Sequence, residues 1–212
     1  MAFILLGAPG SGKGTQARNF VEKQSCVHIS TGDLLRKEIS LGTDLGKEAQ
    51  KFMNTGKYVP DEMVFSILEK EVSGLSDPQK IVFDGFPRTI AQVSLLGQLL
   101  EKLNIKLEQV FNMHLQDEII LERTINRLVC SACGSVFNKI TSPALKEGVC
   151  DYCSGSLMTR GDDKEETVSK RLKTYHETVG PIIQYYRELG ALVDIDGGVE
   201  SGKVWMSISS HF

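Results

Sequence analysis

A chain of 212 residues with 41% hydrophobic and 24% charged residues holds enough apolar material for one sizeable core with small inserted units, and this composition excludes a disordered or fibrous protein. The formal net charge of -3 speaks against a general nucleic-acid binder, so an anionic substrate has to be met by a local concentration of cations. Met1 to Gly14 lacks the basic start and long apolar stretch of a secretory leader, and no apolar run reaches the roughly 18 residues of a membrane helix, which predicts a cytoplasmic protein with no membrane partner.

Along the chain, short apolar runs alternate with amphipathic stretches. Ala2 to Leu6 reads as a buried strand and runs into Gly7-Ala-Pro-Gly-Ser-Gly-Lys-Gly-Thr15. This is the phosphate-loop spacing G-x-x-x-x-G-K-[ST], except that Gly14 separates Lys13 from Thr15. Glycines let backbone N–H groups approach phosphate oxygens, the helix that follows adds positive potential, and Lys13 supplies a point charge. Cys26 to Ile29 reads as the next strand, with Cys26 an inert core residue. Ser30 or Thr31 caps a helix through Arg36 and Ile39, and Thr43 and Asp61 cap two more.

Ile81 to Phe83 is a further strand that ends on Asp84-Gly-Phe-Pro-Arg88. A carboxylate there, beside a phosphate loop, can hold magnesium through water. Gly85 allows close backbone approach, and Arg88 can face a phosphate with its planar fork. Thr89 with Gln92 fits a capping box. Val110 to Leu115 and Leu192 to Ile195 read as strands. Asp117 opens a helix to Leu128, which puts Arg123 and Arg127 one turn apart on the same side. Asp163 opens a long helix, interrupted or kinked at Gly180-Pro181. Strands alternating with helices predict an α/β protein: a parallel sheet with helices on both faces.

Val129 to Arg160 breaks the alternation and reads as an inserted subdomain. It carries Cys130-Ser-Ala-Cys133 and Cys150-Asp-Tyr-Cys153, separated by sixteen residues, which fits a zinc pattern. Four thiolates close a tetrahedral shell, so the metal would be structural. Iron also suits four thiolates, and a redox dithiol is the competing reading. His28, His114, His176 and His211 show no ligand spacing.

Taken together, Gly7 to Thr15, Ser30-Thr-Gly-Asp-Leu-Leu-Arg36, Asp84-Gly-Phe-Pro-Arg-Thr89 with Gln92, and Arg160-x-Asp-Asp-x-Glu-Glu-Thr167 with Arg171 resemble the adenylate kinase family, in its order and over nearly the whole chain. The cysteine insert is similar to the family's long, zinc-containing bacterial form. The resemblance implies a P-loop NTPase-like core at 1–29, 60–126 and 164–212, an AMP-binding subdomain at 30–59 and a zinc-containing lid at 127–163. It implies a monomer that interconverts ATP plus AMP with two ADP, using Mg2+ with ATP and structural Zn2+.

Roles follow by position. The resemblance implies that Gly10, Ser11, Gly12, Lys13, Gly14 and Thr15 hold the ATP phosphates. Arg123, Arg127, Val136, Phe137 and Val199 complete the ATP side, Val199 through its backbone. Thr31, Arg36, Lys57, Tyr58, Val59, Gly85, Phe86, Pro87, Arg88 and Gln92 bind AMP, with Thr31 and Gln92 at the adenine. Arg160 and Arg171 close on the AMP side of the transferred phosphate. Lys13, Arg88, Arg127, Arg160 and Arg171 are the implied catalytic set, and Asp84 the Mg2+ partner through water. Leu128 departs from the family, where a second consecutive arginine is common, and so does Ser142-Pro143, where a double proline is common. A UMP or CMP kinase, or one using GTP, is the nearest rival, and lid length with the Thr31/Gln92 pair favours AMP. A nucleic-acid-binding zinc ribbon would want more basic residues and a stacking platform. A GTPase switch would want N-K-x-D, which the sequence lacks.

Overall fold

The protein is described by a computed structural model that covers residues 1–75 and 80–212. Chain order is β1 (Ala2–Gly7), α1 (Lys13–Gln24), β2 (Val27–Ser30), α2 (Thr31–Ser40), α3 (Asp44–Asn54), α4 (Asp61–Ser73), β3 (Ile81–Asp84) and α5 (Ile90–Lys102). It continues with β4 (Leu107–His114), α6 (Asp117–Ile125), β5 (Arg127–Cys130), β6 (Val136–Asn138), β7 (Leu157–Met158), α7 (Glu165–Glu188), β8 (Leu192–Asp196) and α8 (Ser201–Ser209). The main sheet has the order β2-β3-β1-β4-β8 and all its pairings are parallel.

Side chains alternate across a strand, and a parallel sheet must bury both faces. In β1, Ile4 and Leu6 join Phe83, Leu68, Leu96 and Ile182 on one face. Phe3 and Leu5 join Phe20, Phe111, Met113 and Trp205 on the other. The helices start where their caps dictate. The Ser30 hydroxyl accepts from Asp33 N–H (3.2 Å) and that of Thr43 from Gly46 N–H (3.0 Å). The helix opened at Asp61 starts one residue earlier than expected, with Pro60 as its cap and Asp61 in its first turn.

Four other expectations need correction. The helix expected to reach Leu128 stops at Ile125. There the Asn126 side chain donates to Glu122 O (2.9 Å), while its own carbonyl accepts from Lys139 N–H (2.9 Å) and turns the chain into β5. Arg123 and Arg127 therefore sit on a helix and a strand, not on one helical face. The long helix begins at Glu165, not Asp163, whose carboxylate is engaged by Arg127. Its 24 residues run through Pro181, so it is not interrupted at Gly180-Pro181. Thr89 accepts from Gln92 N–H (3.2 Å), but the Gln92 side chain does not reach back to Thr89 N–H, so the capping box is only half formed.

The insert folds on its own sheet, β6-β5-β7, antiparallel with Leu128 opposite Phe137 and Cys130 opposite Leu157. Its buried cluster is small: Cys130, Phe137 and Cys150, with Leu128, Ala144 and Leu157 against it. Among the described residues no helix is long and apolar enough to cross a membrane.

Candidate active site

The chemistry-bearing residues gather at the carboxyl ends of β1 and β3, where open α/β sheets place their ligands. The loop after β1 turns through Gly10 (φ +86°) and Gly12 (φ +98°), backbone that side-chain-bearing residues rarely adopt. A Cβ on Gly10 would lie 2.2 Å from Thr124 Oγ1, so the loop is pressed against α6. Ser11 is buried, whereas Gly14 and Thr15 are exposed at the start of α1. The Lys13 ammonium folds back and donates to Gly7 O (2.7 Å) and Ala8 O (2.8 Å). Burial lowers its pKa to about 8; the nearby cations Arg88, Arg171 and Arg127 act in the same direction, and Asp84 opposes them.

Asp84 ends β3 beside that lysine. Burial pushes its carboxyl up, but contacts with His28 and Lys13 outweigh this and hold it below the usual carboxylate range. His28 Nε2 lies 3.4 Å from Asp84 Oδ2. A Cβ on Gly14 would come within 3.6 Å of the same oxygen, so the glycine leaves room in front of an ionised carboxylate. That arrangement fits a hydrated Mg2+ ion.

A cleft open to solvent lies between α2, α3 and the loop after β3. It is lined by Thr31, Arg36, Lys57, Tyr58, Val59, Gly85, Arg88, Gln92 and Arg171. Phe86 and Pro87 are instead buried and shape the turn from beneath. Arg88 Nε donates to Gly85 O (2.6 Å), and its guanidinium lies 5.3 Å from the Tyr58 ring centroid. Thr31 Oγ1 donates to the same carbonyl (2.8 Å). Gln92 is buried and fixed from both ends: its Oε1 accepts from Arg88 N–H (2.7 Å), and its Nε2 donates to Asp61 Oδ1 (2.6 Å). Thr89 Oγ1 donates to the other Asp61 oxygen (2.7 Å), so Asp61 orients the whole turn.

Over this cleft hang the arginines of the insert and its flanks. Arg127 holds Asp163 with two donors, Arg171 holds Asp162 (2.9 Å), and Arg160 Nη2 comes within 3.5 Å of Asp33 Oδ1, which also accepts from Arg36 (2.5 Å). Burial lowers Arg160 to about 10, with Arg36 and Arg127 adding to the shift. Arg171 is also lowered to about 10, chiefly by burial, with Asp162 opposing and Arg88 and Arg127 adding to the fall. Both guanidiniums stay charged at neutral pH, in a neighbourhood crowded with like charge.

On the other side, Arg123 Nη1 donates to Gly197 O (2.9 Å) and ties α6 to the loop that carries the exposed Val199. Val136 is exposed, while Phe137 is buried in the insert, 5.8 Å from the Tyr152 ring. Spacing alone hid the contacts of Asp61 with Thr89 and Gln92, the approach of Arg160 to Asp33 and the His28–Asp84 contact, because these partners lie far apart in the chain. Asp33 and the acidic pair Asp162-Asp163 stood inside quoted motifs, with no role of their own assigned to them.

The thiols of Cys130, Cys133, Cys150 and Cys153 all lie within 4.8 Å of one another, with Cys130–Cys153 at 3.4 Å and Cys133–Cys150 at 3.6 Å. Metal–sulfur bonds of roughly 2.3 Å in a tetrahedron give sulfur–sulfur edges of about 3.8 Å, so the cluster fits one structural zinc. The Ser135 hydroxyl and backbone lower Cys133 to about 6. Cys153, although the Gly155 backbone pulls it down, is pushed up to about 12 by neighbouring thiols. Such crowding is what a cation would resolve.

A family model described as adenylate kinase matches residues 5–191. An adenylate kinase of Caldicellulosiruptor bescii is 49% identical over 91% of this chain and 90% of its own length. One from Archaeoglobus fulgidus is 41% identical over 99% and 97%, and one from Clostridioides difficile 42% identical over 98% and 96%.

Proposed function

The chain belongs to the adenylate kinase family, and from that premise we propose how its residues divide the reaction, reversible transfer of a phosphoryl group from ATP to AMP to give two ADP. The observation that carries the reading is the crowding of Lys13, Arg88, Arg127, Arg160 and Arg171. Burial, with neighbouring cations adding to it, lowers Lys13, Arg160 and Arg171 in a chain whose net charge is -3. Cations held together against repulsion are relieved by bound phosphates, and most by the charge spread over a phosphoryl group in flight.

In this reading the core is 1–29, 60–126 and 164–212, the AMP subdomain 30–59 and the lid 127–163. Backbone N–H groups of Gly10 to Thr15 and the Lys13 ammonium bind the ATP phosphates, while Arg123, Val136, Phe137 and Val199 border its nucleoside. Thr31, Val59 and Gln92 face adenine of AMP, and Arg36 and Arg88 its phosphate, with Lys57, Tyr58 and Gly85 to Pro87 forming the walls. The AMP phosphate oxygen is already ionised at neutral pH, so it attacks the terminal phosphorus of ATP without a general base, and the electron pair of the breaking bond leaves on the ADP oxygen. Arg127, Arg160 and Arg171 follow the charge and exclude water as the lid comes down. Asp84 would hold Mg2+ through water, and the ion supplies charge neutralisation on the ATP phosphates. The four cysteines would hold Zn2+ in a closed shell that pins the lid and takes no part in the chemistry. The protein acts as a cytoplasmic monomer whose partners are these nucleotides, without nucleic acid or membrane.

Base selection tests the reading. With ATP and Mg2+ fixed, AMP should be phosphorylated faster than UMP, CMP or GMP at equal concentration, because the buried Gln92 amide and Thr31 hydroxyl are held rigid for one base. Faster turnover of UMP or CMP would refute it.

A further inference from the structure

Arg18 belongs to none of the motifs above, yet it joins the core to both cysteine hairpins. It stands on α1, the helix that begins at Lys13. Its Nη1 donates to Ser135 Oγ (3.2 Å) and its Nη2 to Gly134 O (3.5 Å). Its guanidinium also lies 5.9 Å from the centroid of the Tyr152 ring. Gly134 and Ser135 directly follow Cys133, and Tyr152 stands between Cys150 and Cys153. Ser135 is buried, and its Oγ lies 3.0 Å from Cys133 Sγ. A hydroxyl that accepts from a guanidinium keeps its own proton for a thiolate, so the polar chain runs Arg18, Ser135, Cys133. The fork and the flat cation are used together here, which a lysine cannot match.

We propose that Arg18 is a positioning residue for the lid: it holds the cysteine hairpins against α1 when the lid is down and so raises the fraction of protein ready to bind ATP. This rests on the lid assignment made above. The effect is specific to one nucleotide because Arg18 shares α1 with Lys13 and its partner Ser135 adjoins Val136, both on the ATP side. Neither Arg18 nor its contacts line the AMP cleft. A site whose competent state is less populated binds its ligand more weakly by that fraction.

The test compares wild type with Arg18→Ala, Arg18→Lys, Ser135→Ala and Arg18→Ala/Ser135→Ala. Arg18→Ala should raise KM for MgATP about fivefold, equivalent to about 1 kcal/mol. KM for AMP should change less than about twofold, with kcat not reduced and bound zinc retained. Arg18→Lys should recover only part of the loss. Ser135→Ala should shift KM for MgATP in the same direction, and the double variant should add little to Arg18→Ala, since the two side chains share one contact. Amide hydrogen exchange across residues 131–135 of the nucleotide-free protein should be faster in Arg18→Ala than in wild type. An unchanged KM for MgATP, an equal rise for AMP, additive effects, unchanged exchange or loss of zinc from Arg18→Ala would each overturn the proposal. A wild type without AMP phosphorylation would instead overturn the reading it rests on.

Discussion

Replacing Arg88 with alanine separates catalysis from stability, and the structure says by how much. Among the described residues the side chain makes one hydrogen bond, to Gly85 O, and it lies over the Tyr58 ring. Gly85 O keeps a second donor in Thr31 Oγ1 (2.8 Å), so truncation leaves no orphaned carbonyl. The backbone N–H of Arg88 still binds Gln92, so the turn keeps its anchor. The loss in folding free energy should be about 1 kcal/mol, the net value of one such hydrogen bond. Relief of repulsion with Lys13 and Arg171 offsets part of it. Turnover should fall by on the order of 10³-fold, the effect of deleting a cation that meets transition-state charge. The assays are initial rates with saturating ATP and AMP, and urea unfolding of the same preparations. A loss of roughly tenfold or less would reduce Arg88 to a wall of the cleft. A stability loss above about 3 kcal/mol would show that the turn depends on it.

Wild type should hold one tightly bound zinc per chain and Cys130→Ser none, with a lower melting temperature in the variant while the main sheet stays folded and residual kinase activity persists; metal analysis and melting curves decide this. Gly10→Ala should destabilise by about 2–4 kcal/mol and impair ATP binding, since a Cβ meets Thr124 Oγ1 at 2.2 Å in a left-handed conformation; a fully stable variant would contradict the packing. Lys13, lowered to about 8 in the free protein, loses its proton as pH rises through that value, and bound phosphates should raise it again. ATP binding near pH 8 should therefore take up protons, measured by calorimetry in buffers of different ionisation enthalpy. Between about pH 8 and its unfolded value of 10.5 the unfolded chain holds more protons at this lysine, so its contribution makes the free protein more stable as pH rises through that window.

Where sequence reading succeeded, the chemistry was local. The phosphate loop, Asp84 at a strand end, and the Ser30 and Thr43 caps each depend on neighbours within a few residues. It failed where distant residues decide the outcome. The apolar spacing from Ile119 to Leu128 looks helical throughout, and nothing between carries a glycine or proline stop. What ends α6 is the capture of Asn126 by Lys139 from the other side of the insert. The strands β6 and β7 span three and two residues, too short for any period, and are defined by pairing with β5 around the thiols. Asp61 read as a helix cap. Its main task, holding Thr89 and Gln92, depends on residues 28 and 31 positions away.

The central claim is that clustered cations carry a phosphoryl group to AMP and not to water. The most direct measurement follows ATP consumption with and without AMP. The account predicts negligible ATP loss alone and, with AMP, two ADP formed per AMP consumed, reversing when ADP is supplied. ATP consumed at a similar rate without AMP, with free phosphate as product, would contradict it.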